Sequence, residues 1–260
     1  MRELFDMWRN TRMVVFAALT AALYASILIP FKVLPIIPGV TELRPANAVP
    51  VVCSFLFGPA AAWGAAIGNV IGDFFGGFGP GDLFGFWGNF LYGFLPYRTW
   101  ELLSDRRPVP RRPREWALFA AVVGLASGAC GLVIGWGLNL LGFVPFRVLG
   151  NIVWVNNMLA SLLLAPFLLA VIYPRAERGR LTYRQVLGHR RDLHGLRAYL
   201  GLAVVVVAVA GGMWLGNALS AGYAVVPWVA AGRVGSTGAW EVGVGLLPVL
   251  GMLLLGLALL

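Results

Sequence analysis

Charged side chains are scarce in this sequence. They make up 12% of the 260 residues, whereas 59% are hydrophobic and the mean hydropathy is +0.80. A soluble globular protein carries about 25% charged residues. Half that proportion cannot cover a surface that faces water, so the composition excludes a soluble enzyme and predicts a protein whose solvent is the lipid bilayer.

Residues that hold metals or carry out catalysis are equally few. Cys53 and Cys130 lie in different apolar runs, and His189 and His194 share a basic loop without the spacing of metal ligands. The segment GRVGST at 232–237 lacks the Gly-Lys-Ser/Thr ending of a phosphate-binding loop. We find no zinc-ligand or nucleophile-elbow motif either. We therefore predict a protein that is not an enzyme, with no metal, no cofactor and no catalytic residue.

Lysine is nearly absent, since Lys32 is the only one and the formal charge of +9 comes from arginine. The arginines cluster between apolar runs, which is typical of the positive-inside rule and not of a nucleic-acid-binding surface. The three clusters are Arg2, Arg9 and Arg12; Arg106, Arg107, Arg111, Arg112 and Arg114; and the arginines within 175–197. An even number of spans separates each pair of clusters, so we predict a cell-membrane protein with both termini cytoplasmic.

Apolar runs, interrupted by proline and glycine, predict an all-α integral membrane protein with eight spans. The predicted spans are 12–30, 46–57, 59–75, 82–103, 115–142, 149–173, 197–219 and 240–260. With this placement and the arginine bias, four loops face the outside of the cell. These loops are 31–45, 76–81, 143–150 and 220–239.

Small residues repeat along the first span, in the stretch AALTAALYA. Ala17, Ala21 and Ala25 are four residues apart, and Ala18 and Ala22 lie beside them. Alanines at this spacing leave a shallow groove in which another helix can pack closely. Two interpretations stay open: the face binds a partner protein, or it packs inside the bundle.

Polar residues occur near the outer ends of the third and fourth spans, in GNVIGDFFGGFGPGD. Asn69 and Asp73 are four residues apart and share one helix face. An ionised aspartate at such a depth is costly unless it is paired, hydrated or functional, so Asp73 predicts a ligand or ion site, with a helix cap as the alternative. Asp82 follows a glycine-rich turn and is either an N-cap or a ligand residue.

Amide and indole side chains interrupt the fourth and sixth spans. Trp87 and Asn89 lie on the fourth, whereas Trp154 and Asn156 lie on the sixth, flanked by further asparagines. Lipid offers no hydrogen bonds, so the amides either bridge helices or bind a polar heterocycle on which the tryptophans stack. Tryptophans near span ends are also typical of the membrane interface.

The stretch GVTELRPANAVP at 39–50 forms a polar island in the first outward loop. Glu42 and Arg44 either pair with each other in an exposed turn or line the mouth of a binding site. The acids and nearby aromatic rings would suit an amine-bearing aromatic ligand, whereas Arg44 would suit an anionic group. The predicted substrate-binding residues are Glu42, Arg44, Asn47, Asn69, Asp73, Asp82, Trp87, Asn89, Trp154 and Asn156.

The first 175 residues resemble the substrate-binding S components of energy-coupling factor (ECF) transporters, the vitamin-uptake class of ABC transporter. Within that class they are most similar to the queuosine-precursor transporter group. The resemblance is carried by RMVVFAALTAALYA, by ELRPANAVPVVCSFLFGPAAAWGAAIGNVIGDFFGG and by DLFGFWGNFL. It implies a six-helix core, a ligand held near the outer face under the first loop, and a transmembrane coupling subunit with two cytoplasmic ATPases.

The resemblance also implies roles for particular segments. The coupling subunit would dock on the small-residue face of the first span, at Ala17, Ala18, Ala21, Ala22 and Ala25. Residues 1–175 would form the substrate-binding core, 176–196 a basic cytoplasmic loop, and 197–260 an additional transmembrane hairpin. An S component would end near Pro174, so this hairpin departs from the pattern of the family.

Two functions from different classes follow. The first is the substrate-binding subunit of an ECF-type transporter that takes up a small vitamin or cofactor precursor, energised by separate subunits. The alternative is a stand-alone, ion-coupled secondary transporter of a small metabolite, which eight spans would suit. That alternative needs an acid near the middle of the membrane, whereas the acids here lie near span ends.

Overall fold

Helices form almost all of the structure. A computed structural model describes residues 2–31, 35–37, 41–42, 44–188, 195–224, 226–228 and 240–260. Its α-helices are α1 (Arg2–Asp6), α2 (Thr11–Phe31), α3 (Ala48–Phe57), α4 (Pro59–Phe74), α5 (Asp82–Leu103), α6 (Pro113–Leu140), α7 (Phe146–Arg178), α8 (Tyr183–Leu187), α9 (Leu196–Ala221), α10 (Trp240–Gly245) and α11 (Leu247–Leu259). The predicted all-α membrane fold is confirmed.

A small β-hairpin interrupts the connection between α2 and α3. Strands β1 (Pro35–Ile37) and β2 (Thr41–Glu42) pair antiparallel, and a 3₁₀ turn, Pro45–Asn47, then leads into α3. The sequence did not predict these strands. They are confined to one connection, so they leave the fold class unchanged.

Each predicted span coincides with helical structure, but the helices differ in length. Five segments are long and apolar enough to cross a membrane: Thr11–Phe31, Pro113–Leu140, Phe146–Leu187, Leu196–Ala221 and Trp240–Leu259. By contrast, α3 has 10 residues. That corresponds to about 15 Å, half of the ~30 Å hydrocarbon core of a bilayer. The number of membrane crossings therefore stays a prediction.

Helix α5 lies in the middle of the bundle and contacts α3, α4, α6 and α9. Its aromatic residues Tyr92, Phe94 and Trp100 are almost fully buried. Because protein surrounds residues 88–100 of α5, this part of the helix can carry polar groups that lipid would not satisfy. One of them, Arg98, donates to the carbonyl oxygen of Leu260, which ties α5 to the end of α11.

Glycines on α4 bring that helix into close contact with α2. A Cβ atom added to Gly68 would lie 2.8 Å from the backbone oxygen of Ala21, and one added to Gly64 would lie 2.6 Å from that of Ala17. Only glycine permits so short an approach between the two backbones. The small residues of both helices therefore form one internal interface.

This packing bears on the two interpretations of the alanines on the first span. Ala17, Ala21 and Ala25 are buried inside the bundle, whereas Ala18 and Ala22 are exposed. Neighbouring positions on a helix differ by about 100°, so the two rows face different surroundings. The buried row is used for internal packing, and only the second row is open to another protein.

The C-terminal helices pack on α6 and α7. The indole nitrogen of Trp136 on α6 donates to the carbonyl oxygen of Gly243 at 2.8 Å. A Cβ atom on Gly212 of α9 would lie 2.8 Å from Leu132, so these two helices also approach closely. The predictions made for His189, His194 and the segment 232–237 fall outside the described residues.

Candidate functional site

A cavity of about 220 Å³ opens at one end of the bundle. It lies near the carboxyl ends of α2, α4 and α6 and the amino ends of α5 and α7. The arginine clusters precede α2 and α6 and follow α5 and α7, so they lie at the opposite end of the same helices. The lining residues are Tyr24, Arg44, Asn47, Asn69, Asp73, Gly76, Gly77, Gly79, Gly81, Asp82, Gly85, Asn89, Cys130, Ile134, Leu138, Phe143, Leu149, Val153, Asn156 and Asn157.

One side of the cavity is formed by the last turns of α4. The amide nitrogen of Asn69 donates to Oδ2 of Asp73 at 2.5 Å, and the two side chains are 1% and 8% exposed. This bond fixes the orientation of the Asn69 amide. Its oxygen is buried and has no hydrogen-bond partner among the described residues. A buried acceptor without a donor is costly, so a ligand N–H group would lower the free energy of this site.

Glycine on α5 makes room for that pair. A Cβ atom on Gly85 would lie 2.9 Å from the amide nitrogen of Asn69. The amide of Asn89, one turn further along α5, donates to the carbonyl oxygen of Gly85 at 2.9 Å. The spacing of four residues therefore places a small residue and an amide on the same face, towards α4 and the cavity.

The floor of the cavity is a network of amides around a tyrosine. The hydroxyl of Tyr24 lies 3.0 Å from the amide oxygens of both Asn47 and Asn89. The amide nitrogen of Asn47 donates to Oδ1 of Asn157 at 2.5 Å. The network joins α2, the 3₁₀ turn, α5 and α7, so it holds these amides in fixed orientations before a ligand binds.

A second polar layer lies beneath this floor. The hydroxyl of Tyr92 donates to the backbone oxygen of Asn157 at 2.9 Å and lies 2.6 Å from Oγ of Ser161. Ser161 in turn donates to the backbone oxygen of Asn47 at 3.1 Å. These contacts satisfy buried polar groups in the centre of the bundle, where lipid and water cannot.

A glycine-rich turn between α4 and α5 forms the rim. Gly77 adopts a φ of 114°, a backbone conformation that other residues rarely take. The carboxylate of Asp82 accepts a hydrogen bond from the backbone N–H of Gly79 at 2.6 Å. Asp82 therefore stabilises the turn and lines the cavity at the same time.

Charge of both signs meets at this cavity. Arg44 is half-buried and lines it together with Asp73 and Asp82, and Asn156 completes the α7 side. The side chain of Glu42 lies outside the described residues, so only its backbone position in β2 is known. Seven of the ten predicted substrate-binding residues thus lie around one cavity: Arg44, Asn47, Asn69, Asp73, Asp82, Asn89 and Asn156.

The two predicted tryptophans do not line this cavity. Trp87 is 46% exposed and packs against Phe86 and Phe90, and Trp154 donates to the carbonyl oxygen of Gly124 at 3.1 Å beside a different groove. Each tryptophan precedes a cavity asparagine by two residues, which places it about 200° away around its helix. We therefore leave both out of the site.

Sequence reasoning missed Tyr24 and the apolar wall of the cavity. A hydroxyl in the middle of an apolar span is a signal of a buried hydrogen bond, but the partners of Tyr24 are 23 and 65 residues away. The wall formed by Ile134, Leu138 and Val153 has the same residue types as any lipid-facing surface. No local pattern distinguishes such a wall.

Taken together, the cavity offers fixed amide donors and acceptors, charges of both signs and one apolar wall. The described residues contain no group of three or more His, Cys, Asp and Glu side chains that could hold a metal ion. This arrangement suits the non-covalent binding of a small, flat molecule with several polar edges.

Comparison with known proteins bears on the same segment of the chain. No curated protein and no solved structure showed a match. The model of the QueT transporter family matches residues 14–174, which is more than half of the chain and extends from α2 to α7. This family is the queuosine-precursor group among the S components, so the resemblance seen in the sequence is confirmed. The chain belongs to the QueT transporter family.

Proposed function

We propose that this multi-pass transporter protein is the substrate-binding subunit of an ECF-type transporter in the cell membrane. It captures a small vitamin or cofactor precursor outside the cell, and a coupling subunit with two cytoplasmic ATPases supplies the energy. The observation that carries the proposal is the polar cavity at the end of the bundle remote from the three arginine clusters. By the positive-inside rule this end faces outwards and both termini are cytoplasmic.

The residues around the cavity support a nitrogen heterocycle as the substrate, with a queuosine precursor as the first compound to test. The Asn69 oxygen and the Asp73 carboxylate accept hydrogen bonds from ring or amine N–H groups. Asn89 and Asn156 add amides from the facing helices, while Ile134 and its apolar neighbours cover one face of the ring. Arg44 and the turn at Asp82 border the opening of the cavity.

The exposed row of small residues on α2 supports a docking surface for the coupling subunit. Ala18 and Ala22 face away from the bundle, so a partner helix can approach the α2 backbone there. Ala17 and Ala21 act indirectly, because their packing against α4 holds α2 in place, and Ala25 is buried in the same row.

A stand-alone secondary transporter has less support. Such a protein binds its coupling ion at an acidic residue near the middle of the membrane. The buried acids among the described residues are Asp73, at the end of α4, and Glu241, at the start of α10. Neither position is central, so we retain the binding-subunit proposal.

Isothermal titration of the purified full-length protein tests this function. We expect saturable binding of a queuosine precursor with a dissociation constant in the nanomolar range, and mass spectrometry should detect the same class of compound in protein purified without added ligand. Reconstituted vesicles should take up the ligand only when the coupling subunit and both ATPases are present with ATP. Uptake by the chain alone that an uncoupler abolishes would instead establish the secondary transporter.

The positions of the two tryptophans predict a further result. Trp87→Phe and Trp154→Phe should each change the dissociation constant of the substrate less than about twofold, because neither ring lines the cavity. Titration of both variants beside the unchanged protein measures this. A loss of tenfold or more in either variant would show that the ligand extends beyond the cavity.

A further inference from the structure

A second opening, distinct from the polar cavity, lies between the family core and the additional C-terminal helices. It is a groove of about 630 Å³ whose walls are almost entirely apolar. Gly124 and Leu125 of α6 form one wall, and Val206 and Met213 of α9 form the other. Val206, 44% exposed, and Trp214, 70% exposed, border its mouth, so the groove opens towards lipid.

The shape of the groove fits one extended hydrocarbon chain. Its α9 wall extends from Leu202 to Asn217. Fifteen residue steps at 1.5 Å correspond to about 22 Å, more than the ~15 Å depth of one leaflet of the hydrocarbon core. The groove is therefore long enough to hold the full length of an acyl chain that enters from the membrane surface.

Positive charge lies at one end of this groove. On α6, Arg114, Ala121 and Gly128 follow each other at intervals of seven residues, so Arg114 continues the wall beyond its last apolar position. The side chains of Arg111, Arg112 and Arg114 are exposed and form no ion pair within the described part of the chain.

Two nearby acids form ion pairs with other arginines. Glu115 is held by Arg106, whose Nη1 lies 2.6 Å from its Oε1, and Glu177 pairs with Arg107 at 2.7 Å. Tyr199 of α9 lies at the same end, where its hydroxyl donates to the backbone oxygen of Leu102 at 3.1 Å. An exposed tyrosine beside arginines is typical of the depth of lipid headgroups.

One polar group within the groove has no partner. Thr99 of α5 is 2% exposed, lines the groove, and its hydroxyl forms no hydrogen bond among the described residues. It lies one helical turn before Leu103, where α5 ends beside the arginine loop. This depth is just below the headgroup, where the ester carbonyls of a phospholipid would lie and could accept its hydrogen bond.

We propose that the groove binds an anionic phospholipid. One acyl chain lies between α6 and α9, an ester carbonyl accepts from Thr99, and the phosphate lies beside Arg114 and its neighbours. Any lipid tail could fill an apolar groove, so the selectivity comes from the charged end. Since α9 lies beyond the segment that the family model matches, the lipid joins the additional helices to the family core.

Native mass spectrometry tests this with an equimolar mixture of dioleoyl phosphatidylglycerol and dioleoyl phosphatidylcholine added to the delipidated, full-length protein. The two lipids have the same chains, so only the headgroup differs. We expect phosphatidylglycerol to be retained about fivefold or more over phosphatidylcholine, since each arginine near a membrane surface favours an anionic lipid by roughly that factor. Equal retention of both lipids would overturn the proposal.

Two variants test the binding of the acyl chain and the binding of the headgroup independently. Gly124→Leu should fill the groove and abolish retention of the lipid, and it has room to fold because the nearest atom to a new Cβ is Sδ of Met158 at 3.9 Å. Its matched control is Gly211→Leu on the lipid-facing side of α9, which should retain lipid unchanged. Arg114→Gln should reduce the headgroup preference about fivefold. Its control, Arg12→Gln, should not.

Retention by Gly124→Leu equal to that of the unchanged protein would place the lipid elsewhere and overturn the assignment. The proposal would also be overturned if the protein formed a lipid-free dimer and Gly124→Leu dissociated that dimer. The occupant of the groove would then be a second copy of this protein. Arg114 is exposed, so its variant tests the proposal even where the filled groove impairs folding.

Discussion

Replacing Asp73 by asparagine is expected to weaken substrate binding by about 10- to 100-fold, because a hydrogen bond to a charged group contributes about 1.5–3 kcal/mol. Asp73 is 8% exposed and accepts a 2.5 Å hydrogen bond from Asn69. The neutral amide removes the charge that would bind an amine or ring N–H, and it weakens the hydrogen bond that orients Asn69. Isothermal titration of the variant with a queuosine precursor measures the loss.

Asp105→Asn provides a matched control for this substitution. It makes the same chemical change in the exposed loop after α5, far along that helix from the cavity, and should leave the dissociation constant unchanged. Equal binding by Asp73→Asn and the unchanged protein would show that the carboxylate does not contact the ligand, and the proposed site would then be wrong at its most charged position.

Exchanging alanine for leucine at two neighbouring positions of α2 should destabilise the protein at one position and leave its stability unchanged at the other. Ala21→Leu is expected to lower the free energy of unfolding by about 1–3 kcal/mol, since over-packing a dense interface forces helices apart. The space is already so short that a Cβ atom on Gly68 would lie 2.8 Å from the Ala21 oxygen. The apparent melting temperature of the purified protein in detergent reports the change.

Ala22→Leu is the control, because Ala22 is exposed on the same helix and its extra methyl groups enter lipid or detergent. Its melting temperature should stay close to that of the unchanged protein, as is usual for surface substitutions. A similar destabilisation by both variants would mean that the two rows of alanines pack alike, and the separation between internal and external faces would have to be abandoned.

Much of the candidate site was predictable because polar residues are so rare in these spans. Asn69, Asp73 and Asn89 stand out against apolar neighbours, and the spacing of four residues is enough to place the first two on one helix face. The rarity of a polar residue in a span does not show which other residues it contacts, however. Trp87 and Trp154 belong to the same polar and aromatic groups by sequence, yet they lie on the other sides of their helices.

The alanines of α2 also show what the sequence could not predict. The pattern of small residues indicated that α2 has a close helical neighbour, and α4 is such a neighbour. The two rows of alanine are offset by one position and have the same composition, so the sequence of α2 does not distinguish them. Which row is buried depends on the glycines at 64 and 68 in another helix, so it could not be decided from α2 alone.

The lipid solvent, the helices and the family of this protein could be predicted from the sequence, since hydropathy, the positions of proline and glycine, and local motifs are properties of neighbouring residues. The folded structure was needed to show which polar residues share a cavity, which alanines are buried and that a groove lies between α6 and α9. Those features depend on the rotation of each helix about its axis and on the helix that packs beside it. Both are set by contacts between residues that are far apart in the chain, such as Tyr24 with Asn89.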